Sequence, residues 1–146
     1  MVNCADTSFL FSLYGNDAHS AKALGWLQSQ QKPLLVTSLN EYELGNALRF
    51  AAFRKVIDPK EAQLYWADFE ADRANGRIEV KICNLAEIVD EAKRLSAAHT
   101  ISGGHRAFDI LHVAAALVLK CHFFLTFDKN QKQLAEGVGL EVPFGI

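Results

Sequence analysis

Cysteine is scarce in this 146-residue chain: Cys4, Cys83 and Cys121 stand at scattered spacings with no C-x-x-C pair. That pattern suggests neither a zinc site nor a disulfide framework, so reduced, buried thiols are expected. Proline is rare as well, and three Pro with nine Gly exclude a collagenous or low-complexity chain. No apolar run exceeds residues 113–119, far short of the ~18 residues that suggest a membrane span. The first six residues lack the basic region and apolar stretch of a signal peptide. A cytoplasmic protein without membrane association is therefore expected. Positive charge is not in excess either: 15 Lys and Arg face 17 Asp and Glu, for a formal charge of −2. No global field draws polyanions, so contact with phosphates would need a local basic rim or metal ions.

What is present is an ordinary core-forming composition, 50% apolar and 22% charged, of a length that predicts one domain over residues 1–146. Short apolar segments alternate with longer helical ones. Strands are expected over residues 2–5, 34–37, 78–83 and 122–127, with a final edge strand at 140–142. Helices are expected over 8–14, 18–30, 39–55, 59–74, 85–98 and 105–120, with a short one ending near Gly137. Ser38-Leu39-Asn40-Glu41 reads as a capping box, and Asp58-Pro59-Lys60-Glu61 as a cap followed by a first-turn proline. Asp128 with Gln131 reads as a further box. Strands separated by helices of this length predict an α/β fold, with a central, mainly parallel sheet in a three-layer α/β/α arrangement. Ligands of such sheets sit outside the carboxyl ends of the strands.

Four carboxylates stand where the pattern does not ask for them: Asp6, Glu43, Asp109 and Asp128. Asp6 and Asp128 end apolar strands and are free to cap the next helix. Glu43 has no capping duty if Glu41 holds the third position of the box behind Ser38, so Glu43 ranks above Glu41. Asp109 lies in a helix apolar nearly all round, where an unpaired carboxylate costs several kcal/mol. Arg106, three residues earlier, and the helix dipole offer it ordinary partners. Considered jointly, the four are expected at one edge of the sheet, where they would repel one another unless cations intervene. Two divalent cations would neutralise them. An all-oxygen donor set suits Mg²⁺ or Mn²⁺, and carboxylate two-metal sites are a recurrent device for phosphodiester hydrolysis.

Residues 4–10 (CADTSFL), 43–49 (ELGNALR), 106–116 (RAFDILHVAAA) and 125–128 (LTFD) resemble the four acidic motifs of the PIN domain. More narrowly, they are similar to those of the VapC toxins of bacterial toxin-antitoxin pairs. The resemblance runs from Asp6 to Asp128 with the motifs in the family's order. It implies a Mg²⁺-dependent endoribonuclease with one or two ions per site, forming a homodimer and neutralised by a small antitoxin. Asp6, Glu43, Asp109 and Asp128 match the family's acidic positions, taken as catalytic and metal-binding. Thr7 and Thr126 match hydroxyl positions beside them, suited to orienting carboxylates. A chain of this length fits a free-standing toxin.

His112, three residues after Asp109, is expected as a hydrogen-bonded core histidine, and Arg106 as the best candidate for holding an RNA phosphate. Arg49 and Arg54 read as surface charge. Tyr65, Trp66 and Phe69 read as core or as a partner-binding patch. Two other functions compete. One is a phosphohydrolase or phospho-receiver using Asp6 as nucleophile, for which a dehalogenase-type phosphatase would want a second Asp where Ser8 stands. The other is a non-catalytic binding module whose acids serve only as caps and ion pairs.

Overall fold

The structure, a computed structural model, describes residues 2–145. Strands β1 (Asn3–Ala5), β2 (Leu34–Thr37), β3 (Ile78–Lys81) and β4 (Phe123–Leu125) pair in the order β3-β2-β1-β4, all parallel. The helices are α1 (Thr7–Tyr14), α2 (Ser20–Ser29), α3 (Ser38–Phe53), α4 (Pro59–Ala74), α5 (Leu85–Gly103), α6 (Ala107–Val118) and α7 (Lys129–Gly137). The chain winds outward from β1 through β2 to β3, then crosses back to lay β4 on the other side of β1. The crossover direction thus reverses between β1 and β4, the place where open parallel sheets bind ligands.

Side chains alternate across the strands and split the core in two. Ala5, Leu34, Val36, Ile78 and Leu125 face a cluster with Phe9, Leu44, Leu48 and Phe69 from α1, α3 and α4. Cys4 and Phe124 face the opposite cluster, with Ile88, Leu95, Val113 and Leu134 from α5, α6 and α7. Burying each such large side chain stabilises the fold by about 1.5–3 kcal/mol. The expected three-layer α/β/α architecture is what forms.

Local chemistry sets most helix starts. Asp58 accepts the Glu61 N–H at 2.8 Å, Glu61 returns the bond to the Asp58 N–H at 3.1 Å, and Pro59 fills the first turn. The box at α3 differs from expectation: Thr37 and Asn40, not Ser38 and Glu41, form it. The reason is tertiary, because Asn40 also donates to the Ala5 carbonyl at 3.1 Å, while Glu41 is drawn to Arg73 at 2.9 Å. The box at Asp128 is only half formed. Asp128 accepts from Asn130 and Gln131 N–H, but the Gln131 side chain, buried, returns no hydrogen bond.

Other boundaries shift. Helix α5 runs past residue 98 until Gly104 adopts a left-handed cap (φ 67°), a conformation glycine takes without strain. Helix α6 starts only at Ala107, since Arg106 is extended. The expected edge strand at 140–142 reduces to one parallel bridge between Glu141 and Phe123. The expectation of three reduced thiols is also corrected. Cys4 on β1 and Cys121 just before β4 are brought side by side, Cα–Cα 6.1 Å, and their sulfurs are bonded, leaving Cys83 free. Strand pairing joins positions 117 apart in sequence, which spacing alone does not reveal.

Candidate active site

Asp6 ends β1 and opens α1. Its N–H still bonds the Leu125 carbonyl at 3.1 Å, and its side chain caps the helix by accepting the Phe9 N–H at 3.0 Å. Two hydroxyls complete the clamp. Ser8 donates to Oδ1 at 2.7 Å and Thr126, just beyond β4, donates to Oδ2 at 2.5 Å. Asp6 is 3% exposed. Burial pushes its carboxyl pKa upward, against the pull of the bonds from Thr126, Phe9 and Ser8. Both oxygens are thus fixed in orientation, with lone pairs left over for a further partner.

Glu43, in the second turn of α3, is held from α6. His112 Nε2 lies 2.8 Å from Glu43 Oε1 and 3.3 Å from Thr7 Oγ1. The other ring nitrogen, Nδ1, lies 3.2 Å from Asn40 Nδ2. The Glu43 pKa sits below the usual range: burial raises it, but hydrogen bonds from His112 and Thr7 outweigh that effect. His112 is therefore the buried, hydrogen-bonded histidine expected, and its partner is a candidate site residue.

Asp109 lies in the first turn of α6 and pairs with Arg106, Nε to Oδ2 2.9 Å. The ordinary partners considered for it from sequence are both present. It is not the deeply buried carboxylate expected, since its side chain is 22% exposed and Asp109 lines the cavity, whereas Ile110, Val113 and Ala114 make the packed side of α6. Asp128 caps α7 through Oδ1, at 2.8 Å from the Asn130 N–H and 3.0 Å from the Gln131 N–H. Its Oδ2 faces Arg106 Nη2 at 4.0 Å. Arg106 thus bridges Asp109 and Asp128.

Asp6, Thr7, Glu43, Arg106, Asp109 and Asp128 line one cavity of about 310 Å³ at the carboxyl ends of β1 and β4. Thr126 lies beneath it, fully buried against Asp6. Two side chains were not singled out from sequence. Ser8, a hydroxyl two residues after Asp6, and Asn40, a polar residue at the start of α3 directly after a strand, carried the only available signals. Caps hold Asp6 and Asp128, an ion pair holds Asp109 and a hydrogen bond from His112 holds Glu43, yet helix capping alone does not account for their meeting around one hollow. The donor set is all oxygen and fits a hard divalent cation. Placed as they are, no three His, Cys, Asp or Glu side chains among the described residues converge on one ion position. Arg106 is the internal cation there and has to yield if a metal binds.

The family model described as PIN domain matches residues 4–137, so the chain belongs to the PIN domain family. PIN domains are in general nucleases that use divalent metal. Among solved structures, the chain is similar to PAE2754 from Pyrobaculum aerophilum, with a TM-score of 0.62 and 20% identity. That match covers 97% of this chain and 89% of the other. It is also similar to FitAcB from Neisseria gonorrhoeae, with a TM-score of 0.60 and 16% identity over 97% and 96% of the two chains. At these identities the likeness is one of fold. No curated protein matches the sequence. Among the described residues, no helix is long and apolar enough to cross a membrane.

Proposed function

We propose that the protein is a Mg²⁺-dependent endoribonuclease that hydrolyses RNA phosphodiester bonds, acting in the cytoplasm as the toxin of a VapBC-type pair. The observation that carries the reading is the convergence of Asp6, Glu43, Asp109 and Asp128, from four distant segments, on one cavity at the sheet's switch point. These four side chains would hold one or two ions, Mg²⁺ or Mn²⁺. When bound, such a cation supplies Lewis acidity at the phosphate and offsets the clustered carboxylates.

The chain's own groups do the positioning. Ser8 and Thr126 fix the Asp6 carboxylate, and His112 and Thr7 fix Glu43. Arg106, its side chain 77% exposed, is free to turn from Asp109 towards an RNA phosphate. Membership of the PIN family supports nuclease chemistry, and the resemblance of the four motifs to those of VapC toxins supports a small antitoxin partner and a homodimer. Exposed Phe50, Phe53, Val56 and Leu64 on and around α3 and α4 supply apolar surface for a protein partner.

Purified protein with Mg²⁺ or Mn²⁺ should cleave RNA, stop on addition of EDTA, and arrest growth when expressed. An Asp6→Ala, Asp109→Ala double variant should do neither. Undiminished cleavage by that variant would overturn the assignment.

A further inference from the structure

A second cavity, of about 420 Å³, adjoins the four-acid hollow and shares Thr7, Ser8, Ala47 and Asp128 with it. Its distinctive wall is His19, Phe127, Asp17 and Ser12. Phe127 and His19 lie nearly parallel, ring centroids 4.4 Å apart and planes 9° from each other. Behind them Phe127 stacks on the buried Phe144 at 4.8 Å. The three rings form a column rooted in the core, with His19 as its exposed end. The segment carrying His19 is pinned to α1. Asp17 accepts the His19 N–H at 2.8 Å and the Ser12 hydroxyl at 2.8 Å, and its own N–H donates to Ser20 Oγ at 2.9 Å.

No Lys or Arg lines this cavity, whereas Asp17 and Asp128 do. Two carboxylates repel a phosphate, so the RNA backbone is not its occupant. A flat ring backed by a rigid stack, beside acceptors of hydrogen bonds, matches the face and the amino edge of a nucleobase. The geometry points to a base subsite: an unpaired nucleobase of single-stranded RNA, adjacent to the phosphate at the acids, stacks on His19 with its donor edge towards Asp17. This inference rests on the ribonuclease reading for its substrate. It does not need that reading for the binding itself.

The test therefore has two arms on the full-length protein. In the first, adenosine and cytidine, probes with no phosphate, are titrated while the ring proton resonances of His19 and Phe127 are followed by NMR. Both nucleosides should shift them saturably, and ribose 5-phosphate should not. In the second, His19→Ala should raise KM for single-stranded RNA by roughly five- to 150-fold, the range for losing one base–aromatic stack, with kcat little changed. His19→Trp should restore KM. His19 is exposed, so neither substitution disturbs the core. Silent ring resonances, or an unchanged KM in His19→Ala, would overturn the subsite. A protein that binds nucleosides at His19 but cleaves no RNA keeps the subsite and sinks the ribonuclease reading. Cleavage with His19 silent does the reverse.

Discussion

His112 Nε2 stands 2.8 Å from Glu43 Oε1, and Asn40 determines what the imidazole offers there. The Asn40 amide is oriented at both ends, since Oδ1 accepts the Thr37 N–H at 3.0 Å and Nδ2 donates to the Ala5 carbonyl at 3.1 Å. Nδ2 must then donate to His112 Nδ1 as well, which leaves the ring hydrogen of the neutral imidazole on Nε2, aimed at Glu43. The start of α3 thereby sets the tautomer of a residue on α6, which in turn orients a carboxylate on α3.

Removing that support should weaken metal use more than folding. His112→Ala is expected to lower kcat/KM by about 10- to 100-fold and raise the half-saturating Mn²⁺ concentration by a similar factor. Asn40→Ala should act in the same direction with a smaller effect. Cleavage rates measured across a Mn²⁺ series check both. An unchanged metal dependence in His112→Ala would reduce the residue to a core filler.

The two carboxylates with shifted pKa values should respond oppositely to pH. Asp6 ionises less readily in the folded chain than at its ordinary 3.8. Its charge therefore costs stability that is absent below that value and grows as pH rises through the higher folded one. Asp6→Asn removes the cost, and its amide can still accept from Ser8 and Phe9 and donate to Thr126 Oγ1. Without added metal, the variant's midpoint at neutral pH should rise, while cleavage is lost. Glu43 is held below its ordinary 4.5, so its contribution is present above that value and fades as pH falls through the lower folded one. Glu43→Gln should lower the neutral-pH midpoint and converge with the parent in acid. Thermal melts from pH 3 to pH 8 separate the two signs.

Arg106 competes with any metal for Asp109 and Asp128 and is the cation best placed for a phosphate. Arg106→Gln should lower the Mn²⁺ concentration needed for half-maximal activity, yet raise KM for RNA about tenfold. One phosphate contact fewer should also flatten the slope of log KM against log salt by about 0.7. An unchanged salt slope would remove Arg106 from the RNA path.

The sheet and both outer layers were legible because most strands are short apolar stretches, β3 alternating apolar with charged residues, and several helices open on side chains that cap them, Asp58-Pro59-Lys60-Glu61 most clearly. Local rules failed where a tertiary partner chose between two equal candidates. Ser38 with Glu41 and Thr37 with Asn40 are both plausible boxes, and the Ala5 carbonyl decides for Asn40. The pairing of Cys4 with Cys121 was hidden for the same reason, since it follows from β1 lying beside β4. At the site, the four acids were visible as carboxylates out of pattern, but the bonds that reach them from distant segments were not. The His112–Glu43 bond spans 69 positions, and the Thr126–Asp6 bond spans 120. The local supports announced themselves in the sequence: the caps at Asp6 and Asp128, and Arg106 with Asp109 one helical turn apart.

The most direct measurement is a calorimetric titration of Mn²⁺ into the protein and into an Asp6→Asn, Asp109→Asn double variant, each first shown to fold by circular dichroism. Saturable binding of one or two ions by the parent, lost in the variant, is the predicted result. No Mn²⁺ binding by the parent, or equal binding by the folded variant, would contradict a cation centre built from these four carboxylates.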